Sequence, residues 1–159
     1  MMKMMTMHFF YCGLIFGFAT NTFCQDQNVE ELKKTYQDWI KAWNERNVEA
    51  IGEISWPNYG FGRDVPFLRE PATNKSSYIR GLESYMKMME DISYKDHFSS
   101  FKIIDDVGFV DGFYEQTTQQ RAGPSRTVYG RQSLVFLKRD NKWVLIHYHR
   151  SSLPNEFIR

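Results

Sequence analysis

Residues Arg139–Pro154 read RDNKWVLIHYHRSSLP. Asp140-Asn141 is a tight-turn pair between two apolar runs, so the stretch forms the second half of a β-hairpin. Strict alternation places Trp143, Leu145, His147, His149 and Ser151 on one face, and Val144, Ile146, Tyr148, Arg150 and Ser152 on the other. Apolar groups on both faces require cover on both sides. Two His and an Arg near the strand's end place a polar site where it emerges.

Working back from this strand, Thr127–Arg139 pairs with it across the turn, and Ala122-Gly123-Pro124-Ser125 turns the chain before that. Val107–Gln120 reads as a long strand with Gly108 and Gly112 as bends or bulges. Phe98–Ile104 is the strand before it, closed by Asp105-Asp106. The earlier chain is helical. Leu32, Tyr36, Trp39, Ile40 and Trp43 recur at three- and four-residue spacing, which predicts an amphipathic helix over Val29–Ile54. Asn44-Glu45-Arg46-Asn47 breaks it, leaving a short second helix with Val48, Ile51 and Ile54 inward. Trp56–Arg63 reads as a short extended segment and Pro66 to Pro71 as a loop. A third helix is predicted over Ser76–Ile92 with Tyr78, Leu82, Tyr85, Met86 and Met89 buried. Helices first and antiparallel strands last is an α+β pattern.

The chain of 159 residues accommodates one domain, expected over residues 25–159, behind a targeting segment, residues 1–24. That segment carries Lys3, no acidic residue and an apolar core from Phe9 to Ala19. The core is too short to span a bilayer and suits a signal peptide cleaved near Thr22–Cys24, with export to the periplasm or the exterior. An uncleaved anchor is the alternative. Cys24 does not read as a lipidation site, because Asn21-Thr22-Phe23 lacks the small residue such sites need. Cys12 and Cys24 both fall in the segment, so the domain offers no disulfide, thiol nucleophile or Cys-based zinc site. Without Lys3, the 20 basic side chains become 19, against 19 acidic ones. This balance gives no case for nucleic acid or, after cleavage, for a membrane surface. An aromatic content of 16% favours a deep pocket or a large apolar interface.

The run Trp143, His147, Tyr148, His149, Arg150, Ser151 resembles the closing strand of the nuclear transport factor 2-like superfamily, in its SnoaL-like and ketosteroid isomerase-like branch. Its motif is most similar to the association domain of calcium/calmodulin-dependent kinase II. Asn44–Ile51, Ile79–Leu82 and Gly123–Thr127 are similar to the family's helix break, third-helix start and turn. The resemblance implies a cystatin-like cone, a curved antiparallel sheet wrapped around a long N-terminal helix. It also implies a homodimer joined through the sheet, with Trp143, Leu145, His147 and His149 expected on the outer face toward the partner and Val144, Ile146, Tyr148 and Arg150 toward the pocket. Of the association domain's pocket arginines, Arg150 matches; two others fall at Leu134 and Tyr114, and Arg131 is an out-of-register substitute.

In ketosteroid isomerase-like members a carboxylate after the first strand is the general base. Here Arg63 occupies the counted position and Asp64 the next, while Tyr36 and Trp39 stand near the donor position. Asp64 reads equally as a solvated loop carboxylate. Scytalone dehydratase-like members pair Asp with His in the cone, which brings in His97 and His149. His147 and His149 share a strand face but lack a third ligand, so no metal and no cofactor is called for. Arg150 is the strongest candidate: an unpaired guanidinium suits a carboxylate-bearing small molecule. Tyr148, Tyr59, Phe61, Trp39 and Trp43 are its expected aromatic walls, with Arg131 nearby. The alternatives are a salt bridge from Arg150 to Asp64, Glu83 or Glu115, and, for the two Trp, a plain core role. Three functions follow: a small-ligand-binding domain centred on Arg150, an isomerase or dehydratase using a cone carboxylate or His, and an oligomerisation module.

Overall fold

In the computed structural model, residues 13–55 and 75–154 are described, with side chains from Asp26 onward. Helix α1 spans Gly13–Asn44, α2 Val48–Ile54 and α3 Lys75–Met88. Strands β1 (Met89–Ile104), β2 (Val107–Gln120), β3 (Ser125–Arg139) and β4 (Lys142–Ser152) form one antiparallel sheet in the order β1-β2-β3-β4. The α+β order expected from the pattern is the observed one. The predicted segment Trp56–Arg63, with Tyr59 and Phe61, lies outside the described residues, as do Asp64 and the Pro66–Pro71 loop after it. At its edge Ser55 forms a parallel bridge to Leu145.

Helix α1 lays Leu32, Tyr36, Trp39 and Trp43 on the concave face of the sheet, each almost wholly buried. Side chains of this size stabilise by about 1.5–3 kcal/mol apiece when removed from water, which makes this stripe the main adhesive of the fold. They meet Val110, Tyr114, Leu134, Phe136, Trp143 and Leu145 from the strands. The break after Asn44 is where the sequence placed it. Arg46 takes a left-handed φ of 54°, and Asn47 caps α2 by accepting from the Ala50 N–H at 2.9 Å.

Two expectations about local structure are corrected. Helix α3 ends at Met88, not Ile92, and β1 begins at once. The side chain of Arg121 binds the Lys87 carbonyl at 2.9 Å and its N–H the Met88 carbonyl at 3.1 Å, satisfying two acceptors that would otherwise need a further turn. Met89, Ile92 and Tyr94 then bury their side chains from the strand. Gly108 and Gly112 sit in unbroken pairing on β2; the bulges belong to β1, between Met89 and Asp91 and between Asp96 and Phe98. Gly112 faces the second bulge, where a Cβ would lie 2.2 Å from the Phe98 carbonyl oxygen.

The third correction decides the site. Asp140 and Asn141 take φ of 49° and 58°, as a two-residue type I′ hairpin requires. Register on β4 is not continuous, however: Phe136 pairs with Leu145 and Val135 with His147, leaving Ile146 as an extra residue. The bulge reverses the alternation. Trp143 and Leu145 point into the core, and so do Tyr148 and Arg150 beyond the bulge. His147 and His149 remain exposed. Trp143 and Leu145 are therefore core residues and not part of an outer face shared with the histidines.

Strand β1 is an edge, and backbone groups in its first half are covered from the end of α1 and the turn that follows it. The Asn44 amide accepts from the Tyr94 N–H at 2.5 Å and donates to the Tyr94 carbonyl at 3.0 Å, while Arg46 binds the Met89 and Glu90 carbonyls. Asn44→Ala removes both Tyr94 bonds and is expected to cost about 1–3 kcal/mol in urea unfolding. A loss below ~0.5 kcal/mol would mean that water serves this edge equally well.

Candidate functional site

The concave face grades from apolar to polar along the strands. Beside α1, the Tyr94 hydroxyl donates to Gln132 Oε1, and Gln132 Nε2 donates to the Tyr36 hydroxyl at 2.5 Å. Tyr36 in turn donates to Asp96 Oδ1 at 3.0 Å, with Ser99 donating to the same oxygen at 2.7 Å. The donors all run one way and end on a carboxylate. Tyr36, Tyr94 and Gln132 are buried, and burial is why their polar atoms are paired. Asp96 follows Ile92 and Tyr94 on the inward face and pairs with buried Tyr114; the bulge at His97 then hands that face on to Ser99, which donates to the same carboxylate.

Past this layer lies Arg150. Its Nη1 donates to Gln116 Oε1, and its guanidinium carbon sits 5.2 Å from the Tyr114 ring centre and 5.5 Å from that of Tyr148. Two aromatic faces thus sandwich the cation. Tyr148 leans on Trp39 at 5.2 Å, edge to face, so the core of α1 backs the arrangement. Gly130 makes the space for Tyr114: a Cβ there would come within 2.6 Å of its ring. No carboxylate among the described residues pairs with Arg150. Glu115 is engaged on the outer side, by Lys95 at 2.9 Å and His97 at 3.1 Å.

The guanidinium opens onto a cavity of about 820 Å³, lined among others by Tyr85, Met89, Gln116, Thr118, Arg126 and Arg150. That volume is in the range of small-molecule sites. Burial works against the Arg150 charge, but at high pH the phenolate charge of Tyr148 and the neighbouring tyrosines outweighs it and raises the group above its ordinary value. Burial likewise pushes Tyr148 up to about 12, against the pull of Arg150, and raises Tyr36, Tyr85 and Tyr94. At neutral pH Tyr36, Tyr85, Tyr94 and Tyr148 are therefore uncharged.

Of the proposed ligand residues that are described, Arg150 alone lines this cavity; Tyr59 and Phe61 lie outside the described residues. Tyr148 supports it from behind, and Trp39 and Trp43 are core residues with no place on the cavity wall. Arg131 is on the convex side, its guanidinium 5.5 Å from the Phe113 ring, so it does not stand in for a pocket arginine. His97 is exposed at the β1 bulge and faces Glu115, outside the cone. His147 and His149 are exposed, His149 where it also lines the cavity, and no group of three His, Cys, Asp or Glu gathers among the described residues. Tyr85, Tyr114, Gln116, Gln132 and Arg126 were missed by sequence reasoning. Alternation on Val107–Gln120, which puts Tyr114, Gln116 and Thr118 on one face, was the available signal.

The Tyr148 hydroxyl is buried and makes no well-formed hydrogen bond, although the Tyr94 hydroxyl beside it perturbs its titration. Tyr148→Phe should therefore leave stability unchanged or raise it by about 1 kcal/mol, whereas Tyr94→Phe orphans Gln132 and should cost about 1–3 kcal/mol. The raised phenol pKa values set the pH dependence. Their stability is fully present below the unfolded-chain value near ~10 and falls as pH climbs toward the folded values. Urea titrations from pH 9 to about 12 should show that fall, less steep by one proton in Tyr148→Phe. Equal destabilisation by the two Phe variants would mean that Tyr148 has a partner.

The sequence profile of the SnoaL-like domain matches residues 32–156. Among solved structures, a provisionally named calcium/calmodulin-dependent protein kinase II association domain from Xanthomonas campestris is 21% identical. The alignment covers 79% of this chain and 87% of that one, with a TM-score of 0.65. A provisionally named scytalone dehydratase from Novosphingobium aromaticivorans is 12% identical over 85% of this chain and 89% of that one, TM-score 0.70. An NTF2-like superfamily protein from Salmonella enterica is 14% identical over 82% and 94%, TM-score 0.70. No curated protein matches the chain. At these identities the structures establish the fold, a curved sheet around a long helix as in cystatin-like and NTF2-like proteins. With the profile spanning most of its length, the chain belongs to the SnoaL-like domain family.

Proposed function

We propose that this SnoaL-like domain binds a small carboxylate-bearing molecule in the cavity beside Arg150. The observation that carries the reading is a guanidinium held between Tyr114 and Tyr148, with no carboxylate partner among the described residues, at the wall of a ligand-sized cavity. A cation set up in this way exchanges little protein contact for a carboxylate's bidentate hydrogen bonds. Tyr85 and Met89 supply apolar wall, which favours an aromatic or short aliphatic body. Titration calorimetry with benzoate and its neutral analogue benzamide tests this. Benzoate should bind at least tenfold more tightly, and Arg150→Gln should abolish the difference. Equal affinities for the two probes would sink the reading.

Dehydration or isomerisation of a small substrate is the second reading, supported by relatives named as dehydratases. Asp96, exposed but bonded to the buried Tyr36, is a carboxylate available to it among the described residues. Asp96 reaches the Arg150 cavity only through Gln132 and Tyr94, so the binding reading rests on fewer steps.

The domain is further proposed to be an exported homodimer joined through the convex side of the sheet. Phe98 and Phe113 lie directly opposite each other there and are 65% and 40% exposed. Such an aromatic pair in water is costly unless covered. The apolar segment Phe9–Ala19 supports export. Sedimentation and intact mass of the protein from its own host test both: a dimer lacking the Met1–Cys24 segment is expected, and Phe98→Glu should shift it to monomer. A full-length mass, or a dimer indifferent to Phe98→Glu, would reject the corresponding part.

A further inference from the structure

The cavity beside Arg150 has a second cation. Arg126, at the start of β3, lines the same space, is exposed and makes no ion pair among the described residues. No Asp or Glu is among the described residues that line the cavity. In a chain whose acidic and basic side chains are nearly equal in number, a lining with two guanidiniums and no carboxylate is a marked local excess.

The register sets where the base of Arg126 stands relative to the end of Arg150. Gln116, which receives the Arg150 guanidinium, pairs with Val128; Thr118, two residues further along β2, pairs with Arg126. Same-face neighbours on a strand are about 7 Å apart, so the base of Arg126 lies one such step from the point where Arg150 ends. Between them the floor is Val128 and Thr118, and Met88 and Met89 form part of the same lining. The layout is an inner, desolvated cation, a short stretch of largely uncharged surface and an outer, solvated cation.

Resting on the proposed carboxylate site at Arg150, we infer that the cavity selects an elongated ligand with an anionic group at each end, a short linear dicarboxylate. Its inner carboxylate meets the guanidinium of Arg150. Its uncharged body crosses Val128 and Thr118, and its outer carboxylate reaches Arg126. The division of labour follows from exposure. Arg150 is shielded by two rings and supplies most of the affinity, whereas Arg126 is in water and adds the modest increment of a surface ion pair. Arg126 is thus a specificity residue, distinguishing dianions from monoanions of equal length.

Calorimetric titration of adipate and of its monomethyl ester, at low ionic strength, separates the two roles. Wild-type protein should prefer adipate by about three- to tenfold, of which a factor of two is statistical and the rest is a surface ion pair. Arg126→Gln should bring the preference down to the statistical twofold without changing the affinity for the ester. Added salt should erode the wild-type preference in the same way. Wild-type protein showing only the twofold factor, or an unchanged preference in Arg126→Gln, overturns the inference and leaves the Arg150 site standing. If neither probe binds, or if both bind equally well to Arg150→Gln, the Arg150 site fails and this inference with it.

Discussion

One extra residue on the last strand governs what the interior of this domain can be. Without the bulge at Ile146, the face carrying Trp143 and Leu145 would continue with His147 and His149. Tyr148 and Arg150 would then be in solvent. With it, Trp143 and Leu145 close the apolar end of the cone while Tyr148 and Arg150 line the polar end of the same concave face. A side-chain period of two leaves no other way for one strand to supply both. Trp39 packs on Tyr148 and Gln116 receives Arg150 as consequences of that reversal.

The concave face is layered by chemistry along the strands. Leu32, Val110, Phe136 and Leu145 make an apolar base. Above it, Tyr36, Tyr94 and Gln132 form a fully paired polar layer that terminates on Asp96. Beyond that come Tyr114, Gln116 and Arg150, facing the cavity. Paired polar layers inside a core add little net stability but tolerate one arrangement of donors and acceptors, so they fix geometry more than they add energy. Here the fixed geometry is that of Tyr94, against whose ring Tyr114 stacks at 5.6 Å, and through Tyr114 that of the Arg150 sandwich.

Much of this was legible in the sequence, and the gaps have physical causes. Helix α1 and the break at Asn44–Asn47 followed from periodicity and capping chemistry, and Asp140-Asn141 announced the hairpin. The first residues of β1 did not announce themselves. Met86, Met89 and Ile92 continue a helical spacing, and what stops the helix is Arg121, some thirty residues away in sequence. The bulge at Ile146 was equally hidden, because VLIHYHR alternates acceptably in either register and packing against Trp39 and Leu32 chooses between them. Arg150 could be singled out by residue type and family motif. Its partners Tyr114 and Gln116 lie on a strand two positions across the sheet and carry no local mark of their role. The outward placement of Arg131 and His97 was likewise decided by pairing with β2, which spacing within one strand does not reveal.

The manner in which Arg150 is held bears on what it is for. A guanidinium has five N–H donors in one plane. A carboxylate partner would fix that plane by occupying two of them and cancelling the charge, which would leave a closed ion pair at the cavity wall. Ring faces fix the plane from above and below and occupy none. Tyr114 and Tyr148 do this here, with a single hydrogen bond to Gln116 to set the in-plane rotation. The cation stays oriented, charged and largely unspent toward the cavity. Retaining an uncancelled charge in a site this shielded costs stability that a carboxylate partner would have recovered. That cost is the one which the proposed anionic ligand would recover by completing the coordination of Arg150.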